Sequence, residues 1–142
     1  MDSTDKKILK ILQENARCTM KEIGSRVGLS SPAVRARIDS LEAMGVITGY
    51  HAEVDAKKIG KNIEAFVGTN IRPEKQKEFL ELCSQSRCVV SHYRVIGPHN
   101  ALLHVVAEDN SELEQLIDAL KKLGTTVTSM VLSIPFKRKT IE

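Results

Sequence analysis

Two helical patterns between Thr19 and Met44 are separated by only three residues, Gly28-Leu29-Ser30. So short a connection makes the helices cross at a large angle, which is the geometry of a helix-turn-helix. Thr19-Met20-Lys21-Glu22 has the spacing of a capping box, in which the end residues each satisfy a backbone N–H. The helix it opens carries Met20, Ile23 and Val27 at i, i+3 and i+7, one face of a helix. Gly28 is placed to end it, since glycine readily takes the left-handed conformation. Ser31 is the expected cap of the next helix, with Pro32 in the first helical position, where a missing N–H costs nothing. That helix turns Val34, Ile38, Leu41 and Met44 inward and ends at Gly45. An earlier helix is expected after the cap Asp2, bearing Ile8, Leu9, Ile11 and Leu12, with Asp5 in the first turn where the helix dipole favours an acid.

The second half changes period. Residues 46–54 read as extended, and residues 56–61, with two lysines and Gly60, as a linker. Strands are expected at 65–71, 89–96, 101–107 and 127–136. Pro73 can open a helix with Phe79, Leu82 and Cys83 inward. Ser111-Glu112-Leu113-Glu114 is a second capping box, leading to Leu113, Leu116, Ile117 and Leu120 on one face. Gly97-Pro98-His99-Asn100 is a turn-rich cluster between the second and third strands. The order βαββαβ is the ferredoxin-like arrangement, an αβ-sandwich. The fold class is therefore α+β: a helix-turn-helix domain over residues 1–47, a hinge strand and linker over 48–62, and the sandwich over 63–142.

Bulk composition narrows the setting. Hydrophobic residues make up 42% and charged residues 27%, a globular balance. Three Phe, two Tyr and no Trp make the core aliphatic, and small aliphatic cores often gain stability by oligomerising. Three cysteines without a paired framework suit a reducing compartment. No signal-like stretch or membrane-length apolar run is present, so a cytoplasmic location with no membrane partner is expected.

A net charge of +3 permits a polyanionic partner without demanding one, so placement of charge decides. With Val34, Ile38 and Leu41 inward, the outward side of the third helix carries Pro32, Arg35, Ala36, Asp39 and Ser40. Ser30, Ser31 and Pro32 stand at its N-terminal end, the end that enters a major groove and whose free N–H groups can meet a phosphate. Arg35 can reach guanine edges bidentately. Arg37 sits at the boundary, as a phosphate contact or an internal brace. The plainer account pairs Arg35 with Asp39 at i, i+4 on a solvated surface. Turn, caps and outward residues together favour a transcription regulator that binds double-stranded DNA.

The ordered set Asp5-Lys6-Lys7-Ile8-Leu9, Asn15-Ala16-Arg17, Val27-Gly28-Leu29-Ser30, Arg37-Ile38-Asp39-Ser40-Leu41-Glu42, Gly45-Val46-Ile47 and Gly49-Tyr50, with Gly60 beyond, resembles the Lrp/AsnC family of feast/famine transcription regulators. The resemblance covers nearly the whole chain. It implies a winged or extended helix-turn-helix, a hinge strand and a C-terminal ligand-sensing sandwich. It also implies homodimers joined through that sandwich, often assembled as octamers, which present recognition helices to paired half-sites. Effectors of the family are commonly amino acids bound between dimers beside the turn after the second strand. That places Gly97, Pro98, His99 and Asn100 in the effector site, with Met130, Val131 and Leu132 of the last strand lining or adjoining it. Asn100 stands where the family places an aspartate, and a neutral amide offers an ammonium only hydrogen bonds.

Other chemistries fare less well. Cys83, Cys88 and His92 lack the tight pairs of a structural zinc site and read as buried thiols and a packed histidine. His99, within the turn, could make effector binding pH-sensitive. No phosphate loop, dinucleotide fingerprint or nucleophile elbow is present, so neither an enzyme nor a cofactor is expected. Two alternatives stand beside a sequence-specific regulator. One is an architectural protein wrapping DNA with little sequence preference, and the other a small-molecule sensor acting through protein contacts.

Overall fold

Asp2 caps the first helix, α1 (Ser3–Glu14), by accepting from the N–H groups of Thr4 and Asp5 at 2.8 and 2.9 Å. Asp5 returns the bond, its Oδ2 accepting from the Asp2 N–H at 2.8 Å, so this too is a capping box. The computed structural model describes residues 1–141. Helix α2 (Met20–Val27) starts at Thr19 with the expected reciprocal pair to Glu22 and stops at Gly28, whose φ is 72°. Helix α3 (Ser31–Ala43) is capped one residue earlier than expected: Ser30 accepts from the Ala33 N–H, and Pro32 falls in the second position. The reason lies in the turn, where the Leu29 N–H donates to the Gly24 carbonyl at 3.0 Å and brings the chain round at Ser30.

Ile8, Ile11, Leu12, Ile23, Val34 and Ile38 form one core, flanked by Cys18, Met20, Val27, Leu29 and Ile47. Leu41 is buried as expected, but Met44 is exposed, because the helix has ended at Ala43. Among the described residues no strand forms between α3 and residue 63, so the expected hinge strand has no strand partner there. The chain divides into two compact units. Residues 1–53 group with the tail from Phe136 onward, whereas the expected boundary places that tail in the second domain. The tail is held there by Gln13, which exchanges two hydrogen bonds with the Ile141 backbone, and by Lys137, 3.6 Å from Glu53.

Residues 54–135 form the second unit. Its sheet contains β1 (Ile63–Ile71), β2 (Val89–Arg94), β3 (Ala101–Ala107) and β4 (Gly124–Met130), in the order β2-β3-β1-β4 with every pairing antiparallel. Helices α4 (Gln76–Gln85) and α5 (Asn110–Lys121) make the two crossovers and complete the ferredoxin-like topology. Alternation puts Val67, Ile71, Leu103 and Val105 on one face with Phe79, Cys83, Leu113, Leu116 and Leu120 from the helices. Strands β2 and β4 end short of expectation because the partner strand runs out: Ala101 opens β3 opposite Arg94, and β1 begins near Met130. Helix α5 is capped by Asp109 and not by Ser111: Asp109 Oδ1 accepts from the Glu112 N–H at 2.9 Å, and the Glu112 carboxylate folds back to accept from the Glu108 N–H at 2.7 Å, so the helix starts two residues early.

Candidate nucleic-acid interface and ligand-sensing face

Exposed side chains on α3 begin at its cap. Ser30, Pro32, Arg35, Ala36, Asp39 and Ser40 are open to solvent, and Ser31 is half-buried. Among the described residues Arg35 pairs with no carboxylate, Asp39 included, so the bland i, i+4 surface pair does not form. Arg35 and Asp39 border a cavity of about 250 Å3, with Met20, Ile38, Glu42 and Tyr50 among its other walls. Tyr50 closes it by donating to Glu42 Oε1 at 2.7 Å. Burial and that carboxylate push the Tyr50 hydroxyl up to about 12, so it stays a donor at any physiological pH.

Arg37 departs from the outward set. Its Nη1 lies 2.8 Å from Asp2 Oδ2 and 2.7 Å from Asp5 Oδ1, so the guanidinium is an internal brace from α3 to the start of α1. The reciprocal backbone bonds, and then the guanidinium, hold both carboxyls below their ordinary values. Of the two roles expected for Arg37, the internal brace is the one formed within the chain. Gly24 was missed altogether. A Cβ there would collide with the Leu29 carbonyl, so α2 can approach its own turn only without a side chain.

The turn after β2 is tied to β1 on both sides. Asn100 Oδ1 accepts from the Ile71 N–H at 3.0 Å while its Nδ2 donates to the Ile71 carbonyl at 2.9 Å. Its own N–H donates to the Thr69 carbonyl at 2.9 Å, and Asn70 Nδ2 donates to the Pro98 carbonyl at 2.8 Å. The Asn100 amide thus extends the ladder past the last strand pair. An aspartate could accept from Ile71 but could not donate. The His99 ring packs over Gly68, where a side chain on β1 would displace it.

Met130 ends β4 opposite Ala65, while Val131 and Leu132 lie beyond the strand. The Val131 N–H still bonds the Glu64 carbonyl at 2.9 Å, and Leu132 is almost fully exposed. At about 3.3 Å per residue, Met130 and the Asn100 turn stand roughly 15 Å apart along β1, so one chain does not bring the two groups together.

The helices cover only one face of the sheet. The other carries Glu64, Phe66, Gly68 and Asn70 of β1, Leu102, His104 and Val106 of β3, Ser91 and Tyr93 of β2, and Thr125, Val127 and Ser129 of β4. Phe66, Tyr93 and Val127 are 41%, 56% and 56% exposed on it. Cys83 and Cys88 belong to the opposite, buried side, and burial pushes the Cys83 thiol up to about 11. Phe79 packs edge-on against His92, with ring centroids 5.0 Å apart. No helix among the described residues is long and apolar enough to cross a membrane.

A helix-turn-helix unit followed by a separate antiparallel αβ unit is the architecture of a helix-turn-helix transcription regulator with a second, αβ domain. Comparison with known proteins specifies it further. Residues 1–48 match the winged helix-turn-helix DNA-binding family and residues 64–141 the Lrp/AsnC ligand binding domain. The chain is 38% identical over 133 residues to the uncharacterized HTH-type transcriptional regulator YezC of Bacillus subtilis, covering 94% of each. It is 34% identical over 117 residues to the HTH-type transcriptional regulator Ptr1 of Methanocaldococcus jannaschii, covering 82% of this chain and 79% of the other. Among solved structures, B. subtilis LrpC superposes with a TM-score of 0.90 at 28% identity over 97% of this chain and 99% of that one. The transcriptional regulator NMB0573 of Neisseria meningitidis, solved as an L-Met complex, gives 0.93 at 26% identity over 100% and 96%. The chain belongs to the Lrp/AsnC family of helix-turn-helix transcription regulators, a family of regulators and not of enzymes.

Proposed function

We propose that this regulator reads a two-fold DNA site with sequence preference, as a cytoplasmic homodimer joined through the open sheet face, and that a small molecule modulates it. The observation that carries the reading is Arg35, exposed and without a carboxylate partner among the described residues, beside the N-terminal end of α3. Ser30, Ser31 and Pro32 join it at the groove, with Ala36, Asp39 and Ser40 along the same surface. A dimer suits the open face, which exposes apolar side chains and carries a single acid, Glu64, hydrogen-bonded to His104. Such a surface complements itself, as an isologous interface must. Assembly beyond the dimer, to an octamer, is supported by family membership alone.

Selection from a random duplex pool should return a pseudo-palindrome, and Arg35→Ala should cost about 1–3 kcal/mol on that site while relaxing one position in each half. Enrichment without a motif would make the protein an architectural DNA binder, and no enrichment would leave only a sensor.

The effector is an amino acid or a related molecule, as the methionine bound by the Neisseria regulator suggests. Its contacts come from Gly97, Pro98 and His99 of one chain and from Met130, Val131 and Leu132 of another. Asn100 holds the turn from behind, through Ile71. Screening the amino acids for a rise in melting temperature tests this, since a ligand that binds only the folded state must stabilise it. No rise with any of them would remove the effector from the proposal.

A further inference from the structure

One ion pair interrupts the open face of the sheet. His104 Nε2 lies 2.7 Å from Glu64 Oε1, and each side chain keeps a little over a quarter of its exposure. The imidazole stacks on Phe66, its cross-strand partner, with centroids 4.9 Å apart and planes 17° from parallel. Both residues stand on β1 and β3, the two central strands, so anything that covers this face buries the pair. No helix reaches His104 from this side. The titratable groups sharing the face with it are Glu64 on β1, Tyr93 on β2 and His99, which overlies Gly68; β4 contributes only Thr125, Val127 and Ser129.

Burial changes what the pair needs. A carboxylate removed from water keeps its charge only if a partner compensates it, and neutral imidazole supplies one hydrogen bond but no charge. With His104 neutral, each covered face would retain the bare charge of Glu64, and a two-fold pair would retain it twice. With His104 protonated, each pair sums to zero. We propose that the Glu64–His104 pair is a protonation-linked lock on self-association, so that two copies close over their open faces with uptake of protons by His104. This rests on the reading that the open face is the self-association surface.

The sign follows from linkage. The associated state holds the His104 proton more tightly than the free chain, so association is strongest below the ordinary imidazole range and weakens as pH rises through it. Glu64→Gln should reverse the trend, because a covered imidazolium without an acid is the costly species. A merely structural pair would not reverse.

Full-length chain labelled at its N-terminus with donor or acceptor dye, diluted to equilibrium at pH 6 and pH 8, gives the dimer dissociation constant at each. The wild type should dissociate at least about tenfold more readily at pH 8, the effect of one pKa unit. Glu64→Gln should bind more weakly at pH 6 than at pH 8, and adding His104→Gln to Glu64→Gln, which leaves neither group of the pair to titrate, should flatten the ratio to near one. A dimer of equal affinity at both values, a ratio that Glu64→Gln does not reverse, or one that survives loss of both side chains, overturns the lock while leaving the interface standing. A chain that stays monomeric throughout overturns the interface, and the lock with it.

Discussion

Two glycines four residues apart shape the reading head for different reasons, and substitution separates them. Gly24 has ordinary backbone angles but no room, its would-be Cβ meeting the Leu29 carbonyl. Gly28 has open space on every side but a φ of 72°, which side-chain-bearing residues adopt at a cost. Gly24→Ala should therefore cost about 1–3 kcal/mol by overpacking and should impair DNA binding beyond its effect on stability, because the turn that aims α3 must shift. Gly28→Ala should cost about 1–2 kcal/mol with the turn intact. Urea midpoints at unchanged slope, set beside DNA affinity, distinguish the two. At the other unit, Asn100→Asp removes the donor to Ile71 and turns a carboxylate oxygen toward that carbonyl. The expected loss is about 1–3 kcal/mol, read as a lower melting temperature. An aspartate that proved neutral or stabilising would mean that the turn has a second way to close.

At the scale of elements, the sequence was legible wherever one strong local rule operated alone. The capping box at Thr19 and the stop at Gly28 stand as read, and β3 spans residues 101–107 as expected. The misplaced boundaries belong to elements whose ends depend on something distant. Ser111 and Asp109 both have an acid three residues on, and only the folded neighbourhood, in which Glu112 also meets Lys61, chooses between them. Strands β2 and β4 stop where their partners stop, which no window of the strand itself records. The outward face of α3 was legible from period alone, whereas the fate of Arg37 required knowing that α1 begins beside it. That brace has a measurable signature. Asp2 and Asp5 have folded-state values below the ordinary 3.8, so their contribution is complete above that value and is lost as pH falls through the lowered ones. Arg37→Gln should lower stability at neutral pH and flatten its decline in acid, without changing the motif recovered from a random pool. A changed motif would return Arg37 to the DNA contacts.

For the whole molecule the decisive question is whether the open sheet face sets the number of reading heads on one DNA. Val127 lies opposite Gly68, on the central strand's exposed side, and is more than half exposed in the single chain. An acid there costs the isolated chain little, yet in a two-fold pairing it would bury two unpaired charges against apolar surface. Val127→Asp should therefore remain folded by circular dichroism but sediment as a monomer. A monomer brings one α3 to DNA where the dimer brings two, and the consequence is electrostatic as well as steric. Each phosphate neutralised contributes about 0.9 to the slope of log K against log salt, so losing one of two equal heads should roughly halve that slope. Full-site affinity should fall to that of an isolated half-site, and the dependence on spacing, about one helical turn or a multiple of it, should vanish. Salt titrations of wild type and Val127→Asp on one-half-site and two-half-site duplexes measure all three. If the variant remains dimeric with its slope intact, the second head is joined elsewhere, and the covering of the open face must be sought in another partner.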